Sequence, residues 1–219
     1  MRNLIFVNGE YYHVYNRGIE KRDVFLDDRD YFRFLISIRE SNHLGVVDLS
    51  DIPDPVNQFR EAEKRKAKPL VDLVCYCLMP NHFHLILRQV ENRGISKFMQ
   101  KLCTAYTMYF NKKYKRTGVL FQGPYKAKRI DGDQYLLQLS RYIHLNPLDL
   151  SDGEEQETEF IKNYKWSSLR FYLDEKKHSL IQLKKGIVLG LFSSISEFTN
   201  FTLNSNGVIS EEFLTIKID

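Results

Sequence analysis

Long apolar runs are missing from this chain of 219 residues; without a stretch of about 18 of them, a membrane span is excluded. The start, Met1-Arg2-Asn3-Leu4-Ile5-Phe6-Val7, lacks the long apolar segment of a signal peptide. Cysteine is scarce and odd in number: Cys75, Cys77 and Cys103. The first two share a strand face and have no partners for a zinc knuckle, so buried free thiols in a reducing, cytoplasmic setting are expected. There is no Gly-rich phosphate loop, no internal repeat, no low-complexity segment, and a single Trp. Acid is also absent where it would matter. From Lys97 to Ile130 there is no Asp or Glu, against nine basic residues: Lys97, Lys101, Lys112, Lys113, Lys115, Arg116, Lys126, Lys128 and Arg129.

Tyr106, Tyr109, Tyr114, Phe121 and Tyr125 are interleaved with that basic run. Cationic charge next to stackable rings suits a polyanion with exposed bases, that is, single-stranded or distorted nucleic acid. The displaced acids gather at Asp152–Glu159, read as a linker or polar flap. With 43% hydrophobic residues the chain can fill a core, at a length suited to one domain with an appendage.

Periodicity predicts a first strand over Glu10–Arg17, ended by Gly18, then a helix capped by Asp27 or Asp28 with Tyr31, Phe34, Leu35 and Ile38 on its apolar face. Residues 45–69 read as a loop carrying a short polar helix. Val71–Met79 and His82–Arg88 read as two antiparallel strands joined at Pro80-Asn81. Gly94 opens a long helix running toward Gly118. Val119–Ile130 reads as a fourth strand, and Asp133 caps a helix that Pro147 ends. The order β-α-β-β-α-β predicts an α+β fold: a ferredoxin-like or RRM-like antiparallel sheet, with an added helix and a C-terminal extension.

Chemistry concentrates in Met79-Pro80-Asn81-His82-Phe83-His84. On a strand His82 and His84 point to one side and Phe83, Leu85 and Leu87 to the other, so two imidazoles stand as neighbouring candidate ligands. In the added helix Leu136, Leu139 and Ile143 form the docking stripe, with Tyr142 and Asn146 four apart on its flank. If this helix covers the histidine face, His82, His84 and Asn146 could hold Mg²⁺ or Mn²⁺, with positions left for a phosphate. Tyr142 would be the nucleophile, with Tyr135 the next candidate. His144 reads as a surface or packing residue, and His13 has no assigned role.

Met-Pro-Asn-His-Phe-His, together with Tyr12-His13-Val14-Tyr15-Asn16-Arg17-Gly18, Tyr142-Ile143-His144-Leu145-Asn146-Pro147 and Trp166-Ser167-Ser168, resembles the HUH single-tyrosine transposases, in particular the REP-associated tyrosine transposase branch. The similarity runs from about residue 8 to 170. It implies metal binding by His82 and His84, a polar ligand at Asn146, catalysis by Tyr142 through a 5′-phosphotyrosine, and a single-stranded or hairpin, REP-like DNA partner. It also implies a catalytic domain over 1–150 and a helical extension over 151–219, in a monomer or a homodimer. Arg17, Lys126, Lys128 and Arg129 are the candidate backbone contacts. Two other readings compete: a catalytically silent hairpin-binding protein, and a histidine-based nucleotide hydrolase. The second wants a further histidine where the chain has Ile86.

Overall fold

A computed structural model describes residues 4–45, 68–151, 157–174 and 181–203. The loop and polar helix expected over 45–69 fall, for 46–67, outside the described residues, as do 152–156 of the acidic stretch. The strands are β1 (Tyr11–Arg17), β2 (Val71–Met79), β3 (His82–Gln89) and β4 (Lys126–Arg129). They pair antiparallel throughout in the order β2-β3-β1-β4, which is the predicted ferredoxin-like arrangement.

Alternation in β3 divides the molecule. Phe83, Leu85 and Leu87 enter a core with Tyr12 and Val14 of β1, beneath α1 (Asp28–Ser41) and α2 (Gly94–Lys113). Ile86 joins a second core on the opposite face, with Cys75, Cys77 and Met79 of β2 and Leu136, Leu139 and Ile143 of α3 (Asp133–Leu145). A bulge between Leu73 and Cys75 puts Val74 and Cys75 together in that second core before alternation resumes. Both strand cysteines are fully buried free thiols, as expected.

Local chemistry accounts for the helix ends. Asp27 caps α1 by accepting from the Asp30 backbone N–H. Gly94 is required at the start of α2, because an added Cβ would stand 2.2 Å from the Leu70 carbonyl oxygen. Helix α3 differs from expectation: Gly132, at φ 91°, holds the cap position and Asp133 is its first residue, while Asn146–Leu150 continue as a 3-10 turn through Pro147. The fourth strand is also shorter than predicted. Gly123 turns at φ 83° and Pro124 has no N–H, so residues 118–125 instead form a loop against the end of β1, with Gln122 N–H donating to the Arg17 carbonyl.

The exposed edge of β2 is closed by later residues. Leu78 N–H donates to the Trp166 carbonyl, Ser168 N–H to the Tyr76 carbonyl and the Tyr172 hydroxyl to the Val74 carbonyl. Trp166 stacks on Tyr31 at 4.4 Å, pinning this segment to the first core. Beyond Ser151 the described residues include four short helices, α4 (Glu157–Asn163), α5 (Leu169–Leu173), α6 (Gly186–Leu189) and α7 (Ile195–Leu203), joined by turns and isolated bridges. Leu169, Tyr172, Val188 and Phe198 belong to the second core.

One buried charge ties α1 to α2. Asp30, fully buried, accepts from the Leu26 N–H, the Tyr109 and Tyr114 hydroxyls and the Lys113 ammonium at 2.6–3.0 Å. Asp30→Ala is expected to cost about 3 kcal/mol, since it strands these donors. Urea unfolding checks this; a loss below about 1 kcal/mol would refute the bracing role.

Candidate active site

The strand–turn–strand that carries the histidines is held from both sides. The Pro80 carbonyl accepts from Val24 and Phe25 N–H, and the Asn81 carbonyl accepts from Gly18 N–H. Asn81 Nδ2 donates to the Lys21 carbonyl, which turns Oδ1 toward His82. His82 Nδ1 then donates to that oxygen at 2.6 Å. Burial lowers the His82 pKa to about 4, so the ring is neutral near pH 7, and the shorter of its two contacts, to Asn81, assigns its proton to Nδ1. The lone pair on Nε2 faces Asn146 Oδ1, a second acceptor, at 3.0 Å.

His84 lies deeper and has no exposed surface. Its Nδ1 is 2.8 Å from Nε2 of His13, also fully buried, while its own Nε2 has no hydrogen-bond partner among the described residues. Burial drives the His84 pKa well below the ordinary value, and the neighbouring His13 and His82 add to the shift. The His82 and His84 rings stand nearly perpendicular, with centroids 5.0 Å apart.

Helix α3 of the same chain covers this face. The Tyr142 ring meets His84 edge-on at a centroid distance of 5.7 Å. Burial raises the Tyr142 pKa, and a hydrogen bond from the Asn146 side chain opposes the rise by favouring the phenolate. That bond uses the Asn146 amide as donor, which leaves its oxygen for His82. The helix is anchored behind the site. His144 is buried with Nε2 at 2.9 Å from Ser168 Oγ, and its ring packs against Tyr172, so it is a packing residue rather than a surface one. Arg141 donates to the Thr202 carbonyl of α7.

Two opposed acceptors at 3.0 Å and an orphaned imidazole nitrogen fit a cation. A spacing of 3.0 Å is also that of adjacent ligands around an octahedral ion with bonds of about 2.1 Å. Among the described residues no group of three His, Cys, Asp or Glu gathers to hold a metal; the candidate donors are instead two imidazoles and a carboxamide. These are uncharged N and O donors, a set that can hold a divalent metal ion.

Residues 56–146 match the family model described as transposase, IS200 like. The chain resembles the IS200-like transposases. The matched stretch takes in His82, His84 and Tyr142, and closes on Asn146. Among solved structures, one described as a REP-associated tyrosine transposase bound to a REP hairpin is similar, with a TM-score of 0.52 and 11% identity. The alignment covers 83% of this chain and 90% of that one, and at this identity the likeness shows the shared fold. No curated protein matches.

The IS200-like match ends where α3 ends, but β1 also feeds the site. Strand register sets Arg17 opposite His82, Tyr15 opposite His84 and Lys126, and His13 opposite Lys128. Arg17, Lys126 and Lys128 therefore share the histidine face. Arg129 does not. It is paired with Tyr12 of the first core, on the other face, and bridges Glu10 at 3.1 Å and Asp131 at 3.2 Å. Part of the acid-free basic run is likewise committed inside the fold: Lys113 to Asp27 and Asp30, Lys101 to the His43 and Gly45 carbonyls, and Arg116 to Asn111. Tyr135, the second candidate nucleophile, sits under Lys128 at 5.0 Å, two turns before Tyr142.

From the sequence His13, on the first strand, could approach the site but had no assigned role, and Asn81 read only as a turn residue. The signal for His13 was the period-2 phase it shares with Tyr15 and Arg17. Only the pairing register shows that this phase meets His84.

Among the described residues no helix is long and apolar enough to cross a membrane.

Proposed function

We propose that this chain cleaves and rejoins single-stranded DNA at hairpin-bearing sites through a covalent bond to Tyr142. The observation that carries the reading is the convergence, within one chain, of Tyr142 on His84 and of Asn146 on His82. The IS200-like match and the fold shared with a hairpin-bound transposase support the reaction class and the substrate.

His82, His84 and Asn146 would hold Mg²⁺ or Mn²⁺, which when bound supplies Lewis-acid stabilisation of charge on a phosphoryl oxygen. Arg17, Lys126 and Lys128 bind the DNA backbone and orient the strand across the histidine face. Tyr142 Oη attacks phosphorus, forming a P–O bond as the bond to the 3′ oxygen breaks. The phenolic proton balances the departing oxygen, leaving a 5′-phosphotyrosine and a 3′-hydroxyl. Asn146 assists by stabilising the developing phenolate. Attack by another 3′-hydroxyl reverses the step and joins strands.

Incubating the protein with a hairpin-bearing oligonucleotide and Mn²⁺ tests this. A covalent protein–DNA adduct is expected, and His82→Ala should reduce it at least about 100-fold together with Mn²⁺ affinity. Hairpin binding without any adduct would point instead to a silent DNA-binding protein.

A further inference from the structure

His84 reaches the proposed cation only through Nε2, since its Nδ1 is engaged by His13 at 2.8 Å. A neutral imidazole carries one proton, and a ligating Nε2 must be the bare nitrogen, so the proton of His84 has to lie on Nδ1. An Nδ1–H buried without an acceptor would be costly. The acceptor present is Nε2 of His13.

The geometry points to His13 as a positioning residue that holds His84 in the Nδ1–H tautomer and so presents a bare Nε2 to the cation. This rests on the metal-site reading above. The two rings are within 14° of coplanar, with centroids 5.1 Å apart, so the bond runs in plane, along the lone pair. His13 is fixed in turn by its place on β1, a strand paired on both sides, and by the Tyr15 ring stacked on it at 4.6 Å. Elsewhere on this face β2 and β3 present Cys75, Cys77, Met79 and Ile86 to the core. Packing alone would be met by such a residue. A buried histidine at this position is explained by its hydrogen bond.

His84 Nδ1–H donates to His13 Nε2, and His13 keeps its own proton on Nδ1, which has no partner among the described residues, so the one unpaired N–H of the pair lies on His13 rather than on the nitrogen that meets the cation. In a zinc or manganese site this task often falls to a carboxylate or a backbone carbonyl. Here an imidazole does it, adding no negative charge beside an incoming DNA phosphate.

The test uses the full-length protein with ¹⁵N-labelled histidine, in metal-free buffer. Long-range ¹H–¹⁵N spectra should show His84 as the Nδ1–H form, its signals assigned by their loss in His84→Ala. In His13→Leu the same ring should shift toward the Nε2–H form, and Mn²⁺ affinity by titration calorimetry should fall about 10- to 100-fold. His13→Gln, whose Oε1 can reach the place of Nε2 as an acceptor, should restore most of both. A purely structural role would not predict that pattern of rescue. The proposal is overturned by an Nε2–H form of His84 in the unaltered protein, or by equal Mn²⁺ affinity in His13→Leu. If His13→Leu does not fold, the tautomer of the unaltered protein and the His13→Gln affinity decide. Failure of the unaltered protein to bind Mn²⁺ would remove the metal reading, while the tautomer spectrum would still report on the His13–His84 contact.

Discussion

Tyr142→Phe is expected to abolish the covalent DNA adduct, a loss of at least about 10³-fold, while leaving folding and hairpin binding nearly unchanged. The substitution removes one oxygen. The ring stays edge-on to His84, and the stripe of Leu136, Leu139 and Ile143 that docks α3 is untouched. What disappears is the only atom on the residue able to form a bond to phosphorus. The measurement is a denaturing gel of labelled oligonucleotide after incubation with Mn²⁺, alongside a binding isotherm in EDTA. An adduct that persists in Tyr142→Phe would move the nucleophile, and Tyr135 is the first place to look. Tyr135→Phe serves as the control. Because Tyr135 lies two turns away under Lys128, its substitution should affect binding more than the covalent step.

The second large effect is acid lability. His13 and His144 have their pKa lowered to about 3 and His82 to about 4, while His84 lies well below its ordinary value. Burial is the main cause in each case, with Lys128 adding to it at His13. In the unfolded chain these rings titrate near about 6.5. Between that value and the native pKa the unfolded state binds more protons than the folded one, so stability falls as pH falls. It is fully present above about pH 7. His13, His82 and His144 each contribute a loss of about 2 kcal/mol between pH 7 and 5, on the order of 6 kcal/mol together, and His84 acts in the same direction. Urea unfolding in EDTA at pH 7, 6 and 5 measures it, and a flat profile would contradict neutral burial of these histidines. A cation that binds the neutral imidazoles should shift the loss to lower pH.

Several elements were legible because local chemistry and tertiary need agree. Val71–Met79 is a strand over the predicted span, and α1 has its cap at Asp27 and its apolar stripe at Tyr31, Phe34, Leu35 and Ile38. Misreadings occur where a long-range partner outweighs the local pattern. The β-rich stretch from Val119 was read as a strand, yet Gly123 and Pro124 break it, and β1 takes its hydrogen bonds before β4 begins. The basic residues looked equivalent in the chain, but the buried Asp30 claims Lys113 and the strand phase turns Arg129 away from the histidines. A charge pattern reports how many cations there are, and neither the face nor the partner of any one of them.

Residue types and their spacing were enough to nominate the chemistry: alternation puts His82 and His84 on one side of a strand, and the helical period puts Tyr142 and Asn146 on one flank of a helix. Both rules act over a few residues and need no knowledge of the rest of the chain. Whether the two pairs meet is a different matter. It depends on α3 docking on the histidine face, opposite the one covered by α1 and α2, and on Arg141 and His144 being held from behind by the C-terminal residues. The place of His13 depends on the register between β1 and β3, which a one-residue slip would reverse. Side chains 58 to 71 positions apart in the chain are joined by packing and strand pairing, and their contact is written in no local pattern.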